Sequence, residues 1–141
     1  MFTTLLLATD GSENARRATE YAIELASGLA IPTVLVVHVV GTAPSEAELV
    51  RAGLDVHALL EAEARRAARP TLDLLDAAGM PYTLRASLGD PAGAILGLVE
   101  KEMVDLIVIG SRGLGALSGL VMGSVSQKLV HLAPCPVLIV K

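Results

Sequence analysis

The residues Gly110-Ser111-Arg112-Gly113 follow directly on the apolar run Leu106-Ile107-Val108-Ile109, and Gly123-Ser124 comes after nine further residues. That run reads as a buried strand and 123–132 as a helix, so the glycines join a strand's carboxyl end to a helix's amino end. Such a junction can hold an anion. Glycine lets the backbone approach a phosphate closely, and the first N–H groups of a helix have no partner within it. Ser124 adds a hydroxyl donor there, and Arg112 is a loop cation placed either to pair with phosphate or to lie over the outside. The chemistry implied is binding of a phosphate-bearing ligand.

Other phosphate motifs fail. There is no Gly-Lys-Ser/Thr, so no Walker loop. Gly113-x-Gly115-x3-Gly119 has the wrong spacing for a dinucleotide fingerprint and leaves too little chain for the ribose-binding acid. A receiver-type phosphoacceptor would need an acidic cluster and a late lysine that Asp10 does not evidently have. The stretch from Leu114 to Met122 is apolar and carries no general base, so slow hydrolysis at most is expected, and no residue is assigned as catalytic or as a metal ligand. His38 reads as a satisfied core or edge histidine, and His57 and His131 as surface residues. Cys135, between two prolines, reads as a small buried residue, and Asp105 as a turn or capping residue. Met80, Met103 and Met122 read as gap-fillers.

The elements that must position this loop are legible in outline. Five short apolar runs, Thr4–Thr9, Thr33–Val40, Tyr82–Ser87, Leu106–Ile109 and Val137–Val140, are mostly continuous Val/Leu/Ile, the pattern of strands covered on both faces. Ser12 is an N-cap for a helix with Ala15, Ala18, Ala22 and Leu25 on one stripe, ending near Gly28. The segment from Ser45 to Ala78 predicts an irregular start and one principal helix, with Gly53 and Pro70 able to break or bend it. Gly79 and Pro81 mark its end. Asp90-Pro91 starts a further helix, with Ile95, Leu98, Val99 and Met103 toward the core.

The order β-α-β-α-β-α-β-α-β with right-handed crossovers predicts an α/β fold. It is a single doubly wound five-stranded parallel sheet, Rossmann-like, strand order 3-2-1-4-5, with helices on both faces, forming one domain over residues 1–141. Ligands of such sheets bind beyond the strands' carboxyl ends where strand order reverses. Asp10-Gly11-Ser12 and Gly110–Gly113 would meet there.

Composition narrows the function. At 141 residues the chain suits one domain, and a domain of this size buries roughly 68–70% of its unfolded surface. Apolar residues make up 52% of the chain and aromatic ones only 2%, which disfavours nucleic-acid recognition by base stacking. Net charge is -4 with no basic run beyond Arg16-Arg17 or Arg65-Arg66, so no nucleic-acid partner is expected. Mean hydropathy is +0.60, yet no window reaches the ~18 continuous apolar residues of a spanning helix. No basic leader precedes the first strand, and a lone cysteine fits a reducing compartment. A cytoplasmic protein without a membrane partner is the expectation.

Gly110-x2-Gly113-x9-Gly123-Ser124 resembles the nucleotide-binding pattern of the ATP-binding branch of the universal stress proteins. The flanking text is similar too: Ala8-Thr9-Asp10-Gly11-Ser12, Val37-His38-Val39, Gly89-Asp90-Pro91 and Ala133-Pro134-Cys135-Pro136-Val137-Leu138-Ile139-Val140. The resemblance spans essentially the whole chain. It implies that Asp10, with Ala8 and Thr9 beside it, meets the ribose side of an adenosine and that the Val39 backbone meets the adenine edge. Gly110 and Gly113 would line ribose and phosphates with Arg112 alongside, while Gly123, Ser124, Val125 and Ser126 hold the phosphates. The implied ligand is ATP, with any Mg²⁺ carried by its phosphates. It further implies a homodimer through Val137, Leu138, Ile139 and Val140, an apolar edge strand of the kind that invites pairing.

The role implied is that of a cytoplasmic stress-response regulator whose dimer or conformation senses adenine nucleotide. Two alternatives stand beside it. A nucleotide hydrolase of the adenine-nucleotide α-hydrolase-like group is disfavoured because the Ser-Gly-Gly-x-Asp and His-x-Gly-His motifs are absent. A dimeric scaffold that does not bind nucleotide is disfavoured by the intact glycine pattern.

Overall fold

Alternating side chains along each central strand point to opposite faces, and here both faces are apolar. In β1 (Thr4–Ala8), Leu5 and Leu7 join one core cluster while Leu6 and Ala8 join the other. The computed structural model describes residues 1–111 and 122–141. Gly113 and Arg112 of the expected phosphate loop lie outside the described residues, as does the stretch from Leu114 through 121.

The remaining elements follow in chain order. They are α1 (Glu13–Gly28), β2 (Thr33–Val40), α2 (Glu46–Arg51), α3 (Val56–Ala67), α4 (Arg69–Ala77), β3 (Thr83–Leu88), α5 (Pro91–Lys101), β4 (Leu106–Gly110), α6 (Ser124–Leu132) and β5 (Val137–Val140). The five strands form one sheet in the order β3-β2-β1-β4-β5, with every pair parallel. Leu5 to Ala8 pair with Val34 to Val37 on one side and Leu106 to Ile109 on the other, which makes β1 the centre.

Helices cover both faces. Ala18, Ala22 and Ala26 of α1 pack on Leu5, Leu7, Val34, Leu106 and Val108. On the same side Leu72 and Leu75 of α4 cover Val36. Ile95 and Val99 of α5 and Leu129 of α6 cover Leu6, Leu35, Val37 and Ile107 on the other. The many alanines of α1 bring helix and sheet close, which suits a core with little aromatic volume.

Helix starts follow the capping residues in the sequence. Ser12, Asp55 and Asp90 each accept a hydrogen bond from a first-turn N–H, and Pro91 opens α5. Two expectations need correction. The segment from Ser45 to Ala78 holds three helices, not one principal helix. Gly53 and Leu54 (φ of 64° and 65°) separate α2 from α3, and the missing N–H of Pro70 lets the chain turn at Ala68 between α3 and α4. Met103 fills no gap: it closes α5 in a left-handed turn (φ 53°) and is 80% exposed.

Candidate functional site

The helices α1 and α6 lie on opposite faces of the sheet, and a cavity of about 620 Å³ opens at the carboxyl ends of β1 and β4. That volume suits a nucleotide-sized ligand. Ala8, Thr9 and Asp10 form its β1 side, Val37, His38 and Val39 its β2 side, and Ile109, Gly110 and Ser111 its β4 side. Gly123, Ser124, Val125 and Ser126 close it from α6, with Ile95 of α5 and Arg17 of α1 on the flanks. Nine of the eleven residues expected at a ligand from sequence lie within the described chain, and all nine line this one cavity.

At the α6 end, the first intrahelical bond runs from the Gln127 N–H to the Gly123 carbonyl at 3.0 Å. The N–H groups of Ser124, Val125 and Ser126 therefore have no helical acceptor and lie at the positive end of the helix dipole. Gly123 occupies the N-cap in extended backbone (φ -77°, ψ 170°), a conformation open to any residue, and places no side chain over these donors. Among the described residues no side chain caps these donors, which line the cavity and can receive an anion.

At the β1 end, two local turns hold Asp10. The Ser12 N–H donates to Asp10 Oδ1 at 2.9 Å, and the Gly11 N–H donates to Thr9 Oγ1 at 3.1 Å. Asp10 is exposed on the cavity wall, placed as an acceptor for hydroxyl groups. Thr9 is used differently: its hydroxyl points to Thr71 at 2.7 Å, and its carbonyl lies 3.0 Å from His38 Nδ1.

Sequence reasoning passed over several lining residues. His38 donates through Nδ1 to the Thr9 carbonyl when that nitrogen carries the proton, leaving Nε2 as acceptor. Arg17 brings a guanidinium to the wall, held by Asn14 Oδ1 and by the Lys141 carbonyl at 3.1 Å. Glu13 also lines the cavity and is paired with Arg16 at 2.9 Å. His38 lies in the Val37-His38-Val39 segment that carries the resemblance, whereas nothing in its local sequence marks Arg17, which reaches the site through the α1–β4 packing.

The wall combines apolar side chains (Val37, Val39, Ile95, Ile109, Val125) with a carboxylate at one end and helix N–H donors at the other. Among the described residues no group of three His, Cys, Asp or Glu side chains is arranged to hold a metal ion. No described helix is long and apolar enough to cross a membrane.

The family model of the universal stress proteins matches residues 1–141. A universal stress protein of Thermus aquaticus, from the QAH/OAS sulfhydrylase 3′ region, is 40% identical over 145 residues, covering 100% of both chains. Among solved structures, universal stress protein UspA from Lactobacillus plantarum shares the fold with a TM-score of 0.76 at 23% identity, over 99% of this chain and 98% of its own. A universal stress protein solved in complex with cAMP matches with a TM-score of 0.71 at 25% identity, over 99% of this chain and 97% of its own. Sequence and fold agree over the whole length, and the chain belongs to the universal stress protein family.

Proposed function

We propose that this protein binds an adenine nucleotide, ATP in the first place, in the cavity between β1 and β4 and acts as a binding module whose conformation or assembly follows nucleotide occupancy. The observation that carries this reading is the pairing of a carboxylate at one end of the cavity with the α6 N–H donors at the other. Asp10 accepts from the ribose hydroxyls, the apolar walls at Val37, Val39 and Ile109 take the base, and the N–H groups of Ser124, Val125 and Ser126 take phosphate. Gly110 lies between them, and Arg112 and Gly113 follow it in the chain. The solved relative with cAMP supports the ligand class. A Mg²⁺ ion on ATP fits this site as a passenger of the phosphates, ligated by their oxygens and by water.

Hydrolysis is slow at most in this reading, since the resemblance to the ATP-binding branch brings no catalytic residue with it. The protein works as a cytoplasmic homodimer joined through β5. A ligand changes such an assembly only through different affinities for its states.

The test is mass spectrometry of small molecules released on denaturing the purified protein, with calorimetric titration of ATP, AMP and cAMP. Gly123→Val keeps an accessible backbone conformation and sets a branched side chain at the donor set, and is expected to weaken ATP at least about tenfold. Asp10→Asn should weaken nucleosides and nucleotides alike. No nucleotide released and none bound on titration would leave a scaffold in place of a sensor.

A further inference from the structure

Three buried threonines from three elements meet beneath the turn that carries Asp10. Thr9 follows β1 and is 7% exposed, while Thr19 of α1 and Thr71 of α4 are fully buried. Thr9 Oγ1 and Thr71 Oγ1 are 2.7 Å apart, and Thr71 Oγ1 lies 3.3 Å from Thr19 Oγ1. The Thr19 hydroxyl also faces the Ala15 carbonyl at 2.7 Å. Each hydroxyl has one proton to donate. The Ala15 carbonyl can only accept, and it is the nearer partner, so the Thr19 proton goes chiefly there. Thr71 is the acceptor in its longer contact with Thr19, and its own close bond is the 2.7 Å one with Thr9, in which either hydroxyl can donate. These contacts link the Gly11 N–H, through the three hydroxyls, to Ala15.

This network stands out in a core otherwise built of Ala, Val, Leu and Ile. Among the described residues the other buried polar ones, Ser111 and Ser126, belong to the cavity wall. Hydroxyls in such a core are tolerable only when fully bonded. The chain ends on Gly11, next to Asp10. Gly11 has φ +78°, and a β-carbon there would lie 2.1 Å from the Ala67 carbonyl oxygen and 3.9 Å from Pro70 Cδ. The α3–α4 junction therefore presses on the site turn from outside while Thr71, from the same junction, holds it from below.

We propose that Thr71 is a positioning residue of the cavity: its hydroxyl fixes Thr9, Thr9 fixes the Gly11 N–H, and the turn so held presents the Asp10 carboxylate to ligand hydroxyls. The identity of the ligand rests on the adenine-nucleotide reading; the holding of the turn does not. Thr71 touches no ligand and acts only through Thr9.

Two variants separate hydroxyl from packing. Thr71→Val keeps the branched shape and deletes the hydroxyl, whereas Thr71→Ser keeps the hydroxyl and deletes a methyl. Amide exchange of Gly11 is followed by NMR without ligand, and ATP affinity by calorimetry. Thr71→Val is expected to speed Gly11 exchange and weaken ATP, each about tenfold. Thr71→Ser should stay within about twofold of wild type on both readouts although its thermal midpoint falls. Thr71→Cys, with a weak S–H donor, supplies the comparison if the valine variant does not fold. Wild-type behaviour of the variant lacking the hydroxyl overturns the proposal, as does equal loss in Thr71→Ser. If wild type binds no ATP, the nucleotide reading fails by itself. The exchange of Gly11 then decides alone: acceleration only where the hydroxyl is lost supports the proposal, and no change overturns it.

Discussion

A β-carbon on Gly110 would stand 2.7 Å from the carbonyl oxygen of Asn14 and 2.8 Å from its carbonyl carbon. The carboxyl end of β4 thus lies against the first turn of α1, closer than any side chain allows. Asn14 in turn accepts from Arg17, whose Nε holds the Lys141 carbonyl at 3.1 Å, and the Ser111 N–H donates to the Val140 carbonyl at 2.7 Å. Gly110 therefore has a packing role independent of any ligand. The glycine that suggests a phosphate loop in the sequence also lets α1 close on the sheet.

Gly110→Ala should for that reason destabilise the ligand-free protein. Backbone cannot move aside as a flexible side chain would, and overpacking of this kind costs about 1–3 kcal/mol. The expected result is a lower urea midpoint at unchanged m-value. A variant as stable as wild type would show that α1 can give way, and that the close approach is not required.

At the opposite end of the sheet, Asp105 ties β4 to β1. Its carboxylate accepts from the Thr3 N–H at 2.8 Å, the Thr3 hydroxyl at 2.9 Å and the Thr4 N–H at 3.0 Å. Partial burial pushes this carboxyl up, but those donors outweigh it and hold it below the usual carboxylate range. A depressed folded-state pKa gives stability that is complete above the unfolded value of about 3.9 and is lost as pH falls through the folded one. Asp105→Asn should therefore cost about 1–2 kcal/mol at neutral pH, with the gap to wild type closing below about pH 4. Parallel denaturation curves at pH 7 and pH 3 test this, and a gap unchanged at pH 3 would contradict it. Burial and then the Asp105 charge push the Cys135 thiol up, so alkylation of Cys135 should be faster in the same variant.

The five strands, the starts of α1 and α5 and the glycines at the cavity were legible in the sequence because each rests on local signals. Continuous Val/Leu/Ile runs specify strands covered on both faces, Ser12 and Asp90 specify caps, and Gly110 and Gly123 bracket the switch point. What was hidden depends on contacts between distant segments. Thr71 reads as an ordinary helix residue until α4 places it under Thr9, and Arg17 as a solvated arginine until β4 brings the cavity to it. The break at Ala68 was obscured for another reason: its flanks are strong helix formers, and only Pro70 signals that two helices meet there. Met103 looked apolar and in phase, yet α5 ends before the stripe reaches it.

Pairing of β5 with a second copy is open to a clean test because its residues differ in what they support. β5 bonds to β4 along one edge, with Ile109 opposite Ile139. Leu138 packs on the α1 side of the core and Val137 on the α5–α6 side, so a charge at either would disturb the monomer. Val140 is buried. Ile139 is only half-buried and belongs to neither cluster, which makes it the position where a charge opposes edge pairing at least cost to the fold. Ile139→Lys should weaken a β5-mediated dimer by about 2 kcal/mol or more, roughly thirtyfold in dissociation constant. Sedimentation velocity across a concentration series should show wild type as dimer and the variant shifted to monomer, with thermal midpoints of the dilute proteins close together. A dimer untouched by the lysine would place the interface elsewhere, and a wild type that stays monomeric at high concentration would remove it.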